Sequence, residues 1–296
     1  MRIFCFLPFQ GGIVGSNSTV NVLQALWLGV LQGVTEFLPI SSSGHLVLGK
    51  AILGIHTSGV AYEVFVHFGT FLAILTIFWG DVWNILKAVG RALRHPSPGT
   101  WYESYREDPF FRLAILICLG TIPILIVGII FENKIEAAFA SPFFVSLALI
   151  ATATFLLGTR WIKPHDTRFG MIRAFVIGLA QAFAILPGIS RSGSTIAAAI
   201  YSGVERSEAA RFSFLLILPA ILGATILKGA ELLQTGLLSQ EAVTLLVGTL
   251  AAYGSGAIAL KWLLGVIRRG RLDRFAYYCY AVGIAGLIWF AHGLFL

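Results

Sequence analysis

Gln32 and Glu36 stand four residues apart, on one face of a helix that must end near Pro39, and Ser41, Ser42, Ser43, Gly44 and His45 follow the proline. An acid, three hydroxyls and an imidazole in that order supply the parts of a nucleophile and of proton transfer. A second stretch, residues 187–195, reads PGISRSGST. Arg191 is a fixed cation whose forked donors suit phosphate, Ser190, Ser192 and Thr195 are hydroxyls, and a helix starting near Gly193 would aim backbone amides at the same anion. One stretch offers acid, hydroxyl and imidazole, the other a phosphate clamp, and the chemistry they share is phosphoryl transfer. A structural reading stands beside it, in which serine hydroxyls satisfy Glu36 and Arg191 neutralises it. The two are compatible, because a site awaiting an anion can hold such an ion pair.

These polar groups lie in a chain of 296 residues that is 57% hydrophobic and 12% charged, about half the charged share of a soluble domain. Apolar runs close to the roughly 20 residues needed to cross a hydrocarbon core recur along it, without the alternation of barrel strands. The class is therefore an all-α polytopic membrane protein. A net charge of +7 does not point to nucleic acid, since the basic residues gather in a few loops. Cys5, Cys118 and Cys279 are far apart, with no paired spacing, and read as packing residues. No Walker A, HExxH or dinucleotide glycine pattern is present. Residues 1–19 have one basic residue and no convincing cleavage site, and read as an uncleaved extension or an overcalled start codon.

Six spans are expected, over 62–80, 112–131, 141–159, 209–229, 241–263 and 275–295. Lys87, Arg91, Arg94 and Arg106 mark one loop, Arg160, Lys163, Arg168 and Arg173 a second, and Arg268, Arg269, Arg271 and Arg274 a third, whereas 132–140 has only Lys134 and 230–240 has no lysine or arginine. The positive-inside rule puts the first three in the cytoplasm. Segment 172–203 then begins at cytoplasmic Arg173 and ends beside cytoplasmic Arg206, so it enters and leaves by one face. This segment and 20–56 are broken near their middles by proline and glycine, as expected of re-entrant hairpins. The two breaks also resemble each other: LGVLQGVTEFLPISSSG sets against IGLAQAFAILPGISRSG, pairing Gln32 with Gln181, Pro39 with Pro187, Ser41 with Ser190, Ser43 with Ser192 and Gly44 with Gly193. The reading is an inverted-topology repeat, 20–159 and 160–296, each half one re-entrant hairpin followed by three spans.

QGVTE, SSSGH and PGISRSGST together resemble the undecaprenyl-diphosphate phosphatases associated with bacitracin resistance, whose pattern is (E/Q)xxxE, a serine-rich turn and His, then PGxSRSxxT. The resemblance runs from about residue 20 to the C-terminus; Gln32 takes the less acidic option at its position. It implies hydrolysis of undecaprenyl diphosphate to the monophosphate and inorganic phosphate at the outer face of the bacterial inner membrane, recycling a lipid carrier for peptidoglycan, with Mg²⁺ or Ca²⁺. In that scheme Arg191, Ser190, Ser192, Gly193 and Thr195 bind the terminal phosphate with help from Ser41 and Ser43. Glu36 and Gln32 hold the cation, and Ser42 is the nucleophile, with His45 its base or the acid for the leaving oxygen. Direct attack by water stays open. So does a different class, a lipid flippase or secondary transporter, which the same architecture would serve. The partners expected are the polyprenyl diphosphate and membrane lipids; a homodimer is compatible with the sequence.

Overall fold

The computed structural model describes residues 21–46, 60–94, 97–139, 141–163, 169–235 and 238–293. The N-terminal extension, Cys5, His95, Arg168 and the second arm of the first expected hairpin beyond residue 46 lie outside the described residues. Helices account for nearly all of the rest: α1 Val22–Phe37, α2 Val60–Ile77, α3 Trp79–Arg94, α4 Pro98–Glu107, α5 Pro109–Ile130, α6 Glu132–Phe139, α7 Pro142–Gly158, α8 Met171–Phe183, α9 Arg191–Tyr201, α10 Arg206–Thr235, α11 Leu238–Arg268 and α12 Arg274–Gly293. Among the described residues there is no strand.

The helix starts are written in the sequence. Asn21 and Gln24 form a reciprocal capping box on α1. Ser97, Asp108 and Ser141 cap α4, α5 and α7, each followed by a proline at the first helical position, where the missing N–H takes nothing from the helix. α1 ends where Leu38 precedes Pro39.

Three helices among the described residues, Pro109–Ile130, Pro142–Trp161 and Ala242–Arg268, are long and apolar enough to cross a membrane, and a fourth span is possible if the pair Val64–Ile77 and Trp79–Arg94, bent by 82°, is counted as one. Of the other two expected spans, 209–229 falls within α10, and 275–295 coincides with α12 as far as Gly293, the last described residue. Large apolar side chains such as Ile129, Leu250, Ile258 and Trp289 face outward, as a lipid-facing surface requires. Cys118 faces outward too, while Cys279 is buried, so only the latter packs inside the bundle.

Close helix contacts run through glycine. Gly29 and Gly33 of α1 lie against Gly248 and Ala252 of α11, and Gly178 of α8 lies against Gly120 of α5. Gly283 and Gly286 of α12 lie against Ser146 of α7. A Cβ at Gly29 or Gly178 would drive into the facing carbonyl oxygen; small residues let such backbones approach in a lipid setting, where packing rather than water exclusion holds helices together. Around them an apolar core joins Phe37, Ile74, Leu116, Ile177, Ile196, Leu216 and Leu260.

α8 has 13 residues and α9 has 11, each shorter than a crossing needs. Their far ends meet, since Arg173 Nε donates to the Ser202 carbonyl at 2.9 Å. The pair is a hairpin whose elbow, residues 184–190, points into the bundle.

Candidate active site

Two chain breaks meet at the centre of the molecule. After α1 the chain turns over 38–40 and becomes helical again at 42–46. After α8 it turns over 184–189 before α9 begins, with Ser190 as the cap. Gly44 of the first elbow lies beside Gly188 of the second, Gly193 lies beside Pro39, and Ser192 Oγ donates to the Leu38 carbonyl at 3.4 Å.

Glu36 is the hub. Its side chain is 2% exposed, yet both oxygens are occupied. Oε2 accepts from Gln32 Nε2 at 2.8 Å and from Ser42 Oγ at 2.7 Å, and Oε1 accepts from Arg191 Nη2 at 3.1 Å. A carboxylate this buried is tolerable only with such partners. His67 Nε2 stands 3.7 Å from Oε2 as well. The spacing of Gln32 and Glu36 on one helical face and the cation of the second elbow thus converge on one carboxyl group.

His45 sits differently. Its Nδ1 is 2.8 Å from the Ser41 carbonyl and its Nε2 is 2.8 Å from the Tyr278 hydroxyl. A carbonyl only accepts, so Nδ1 carries the hydrogen, and the Nε2 of a neutral ring accepts from Tyr278. Ser42 is held by Glu36, while both nitrogens of His45 are turned to other partners.

The remaining hydroxyls build the elbows. Ser41, at φ 71°, takes the Gly44 amide on its Oγ at 3.4 Å and lies 3.2 Å from Ser43 Oγ. Ser190 Oγ accepts from the Gly193 amide at 3.1 Å and lies 3.3 Å from Ser192 Oγ. Thr195 folds back, donating to the Arg191 carbonyl at 2.9 Å. Thr152 of α7 ties the second elbow down, donating to the Gly188 carbonyl at 3.0 Å and accepting from the Ser190 amide at 3.1 Å.

Three contributors were not singled out from sequence. His67 carried the one available signal, an ionisable group inside an apolar run. Tyr278 and Thr152 gave none, since only the packing of α12 and α7 onto the elbows brings them in. Among the described residues there is no cluster of three or more His, Cys, Asp or Glu set to hold a metal. Gln32 Oε1, buried beside Glu36, has no hydrogen-bond partner among the described residues, and with the carboxylate it makes an all-oxygen donor set. Such a set fits a hard cation that takes its other ligands from water and phosphate.

A family model described as bacitracin resistance protein BacA matches residues 25–285. A protein of Salinibacter ruber named undecaprenyl-diphosphatase is 46% identical over 266 residues, covering 89% of this chain and 97% of that protein. Proteins of the same name from Korarchaeum cryptofilum and Bacteroides fragilis are 43% identical over 269 residues and 38% identical over 270, each covering 90% of this chain, and 98% and 97% of their own lengths.

Proposed function

This chain belongs to the bacitracin resistance protein BacA family, and from that membership we propose that it hydrolyses undecaprenyl diphosphate to undecaprenyl phosphate and inorganic phosphate. The observation that carries the mechanism is the sharing of Glu36 between Ser42 of one elbow and Arg191 of the other. Arg191 is held ready by the carboxylate and transfers its fork to the terminal phosphate when the substrate enters, stabilising the charge on the equatorial oxygens. Ser42 Oγ then bonds to the terminal phosphorus as the bond from that phosphorus to the bridging oxygen breaks. The hydroxyl proton passes to Glu36, and His45, once it has taken a solvent proton on Nε2, passes that proton through the Tyr278 hydroxyl to the departing lipid phosphate. Water opens the phosphoserine, releases inorganic phosphate and restores the hydroxyl. Glu36 and Gln32 would hold a Mg²⁺ or Ca²⁺ ion, which supplies charge neutralisation on the diphosphate when bound.

The architecture that serves this reaction is six crossings and two re-entrant hairpins in inverted halves, in the bacterial inner membrane, with the site open to the periplasmic side. Supporting it, α1 meets α11 at Gly29 and Gly248, and its counterpart α8 meets α5 at Gly178 and Gly120. Each half thus lays its first hairpin helix on the other half's second long helix. An apolar cavity of about 230 Å³ behind the second elbow, lined by Ala151, Phe155, Ala180 and Phe183 among others, suits the first isoprene units of the tail.

The test is turnover followed by acid quench. Purified protein given undecaprenyl diphosphate and a divalent cation is expected to release phosphate and to carry label on Ser42. Wild-type turnover in Ser42→Ala would hand the attack to water, and a protein that moves the lipid but releases no phosphate would be a carrier instead.

A further inference from the structure

We propose that α3 is an interfacial anchor, lying in the plane of the membrane on the side of the basic loops and binding anionic phospholipid headgroups along one flank. Spacing on the helix carries the first part of the argument. Trp79, Trp83, Leu86 and Leu93 recur at intervals of four, three and seven, which stacks them in one narrow stripe. They are 55%, 47%, 57% and 58% exposed, so the described chain leaves about half of each side chain uncovered. The opposite face is the one packed on the protein: Ala88 and Ala92 are buried against Phe111 of α5. α3 therefore has two apolar faces, and the larger side chains are on the one that points away.

The second part is attitude and charge. α3 leaves α2 at 82°, so if α2 crosses the bilayer α3 lies along its surface. Asp81, Lys87, Arg91 and Arg94 in sixteen residues make a buried path through hydrocarbon expensive. Their placement is ordered. Asp81 turns to the protein and is taken by Arg211 at 2.6 Å, and Arg91 is taken by Asp108 at 2.6 Å. Lys87 sits 5.2 Å above the Trp83 ring, and Arg94 has no ion pair among the described residues. Both flank the exposed stripe on the same side. Indoles at headgroup depth with cations beside them describe a helix resting in a lipid interface. A protein partner for the stripe would have to meet those cations as well. A leaflet containing anionic lipid meets both, with acyl chains under the stripe and phosphates along the flank.

The test uses the full chain reconstituted in phosphatidylcholine vesicles, with a fixed fraction of brominated phosphatidylcholine or brominated phosphatidylglycerol. The emission of Trp83 is isolated as the difference between the protein and Trp83→Phe. Bromines near the headgroup are expected to quench it more than bromines near the chain ends. Phosphatidylglycerol is expected to quench with an effective affinity roughly fivefold or more above phosphatidylcholine. Lys87→Gln with Arg94→Gln should bring the two lipids level while phosphate release in detergent stays unchanged. Trp83 emission that no lipid quenches, equal quenching by both lipids in the unaltered chain, or a preference that survives the double substitution would each overturn the proposal. The first of these would indicate a protein, such as a second copy of the chain, over the stripe.

Discussion

The first elbow and the second repeat one hydrogen-bond pattern and differ in two places. In each, a serine takes the amide three residues on, Gly44 on Ser41 and Gly193 on Ser190, and faces a second serine two residues on at 3.2 and 3.3 Å. In each, the helix restarts with a backbone bond to that first serine's carbonyl, from His45 at 3.2 Å and from Ser194 at 2.8 Å. Between the paired serines stands Ser42 in one elbow and Arg191 in the other, and both donate to the same carboxylate. The carboxylate itself has no counterpart, because the second half has Ala184 and Ile185 in that region. A shared frame with different residues at the middle position puts a hydroxyl and a guanidinium on opposite oxygens of one acid.

The frames also differ in strain. Ser41 adopts a left-handed φ of 71°, whereas Ser190 sits at −72° because the extra residue Gly188 takes the positive φ of 90°. A left-handed conformation costs a non-glycine residue about 1 kcal/mol or more. The first elbow, which carries the proposed nucleophile, holds that strain without a glycine to absorb it.

The largest effect should come from removing what joins the elbows. Arg191→Ala is expected to lower kcat by about 10²- to 10³-fold, the usual loss for one donor to developing charge, and Arg191→Lys by less, since charge stays and the fork is lost. Steady-state phosphate release measures both; wild-type rates in Arg191→Lys would remove bidentate phosphate binding from the comparison. Ser42→Ala should fall by a similar factor, and Glu36→Gln should also raise the cation concentration needed for half-maximal rate.

Next comes the glutamine pair, which sharpens the contrast most directly. Gln32 and Gln181 occupy matching places and are both fully buried, but Gln32 donates to Glu36 while neither polar atom of Gln181 has a partner among the described residues. Gln32→Leu is expected to cost about tenfold in rate through the loss of a charge-assisted bond of roughly 1.5 kcal/mol. Gln181→Leu removes an unpaired amide and should leave the rate near wild type with the melting temperature unchanged or higher. A rate loss in Gln181→Leu equal to that of Gln32→Leu would mean the two halves are chemically more alike than their bonds indicate. Gly29→Ala and Gly178→Ala, by contrast, should destabilise to a similar extent, by about 1 to 3 kcal/mol each as overpacking; thermal unfolding in detergent reads this, and a change felt at only one glycine would break the equivalence of the two helix contacts.

How far sequence reached follows from the kind of interaction involved. The helical membrane class was legible because composition and run length are one-dimensional, and the motif residues because acids, arginines and serines stand out against apolar sequence. Whether Glu36 and Ser42 meet Arg191 depends on two elbows separated by some 150 residues of chain, which a repeat can suggest and only coordinates can describe. Tyr278, Thr152 and the 82° bend before α3 are consequences of packing with no local signature. The stripe on α3 was legible in spacing, but the charges beside it draw a reader to topology first.

The smallest effect belongs to the same pair of functional groups placed outside the elbows. Arg91 and Asp108 meet at 2.6 Å, closer than Arg191 and Glu36 at 3.1 Å, but the arginine is 62% exposed instead of 21%. Partial burial would raise the Asp108 pKa, yet the Arg91 hydrogen bond and the amides of Phe110 and Phe111 outweigh it, leaving the group below its ordinary 3.8. A depressed carboxylate contributes stability at pH values above its ordinary pKa, and that contribution fades as pH falls through the lowered folded value. With so much solvent around the pair it amounts to no more than about 1 kcal/mol. Asp108→Asn keeps an oxygen for the helix cap and removes the charge, so it should lower stability by about that much at pH 7 and flatten the acid limb below pH 4. Phosphate release should be untouched, because the pair lies on the loop side of α5 and the elbows do not feel it. Loss of turnover in Asp108→Asn would show that exposed and buried pairs are coupled, and would tie the surface helices to the site.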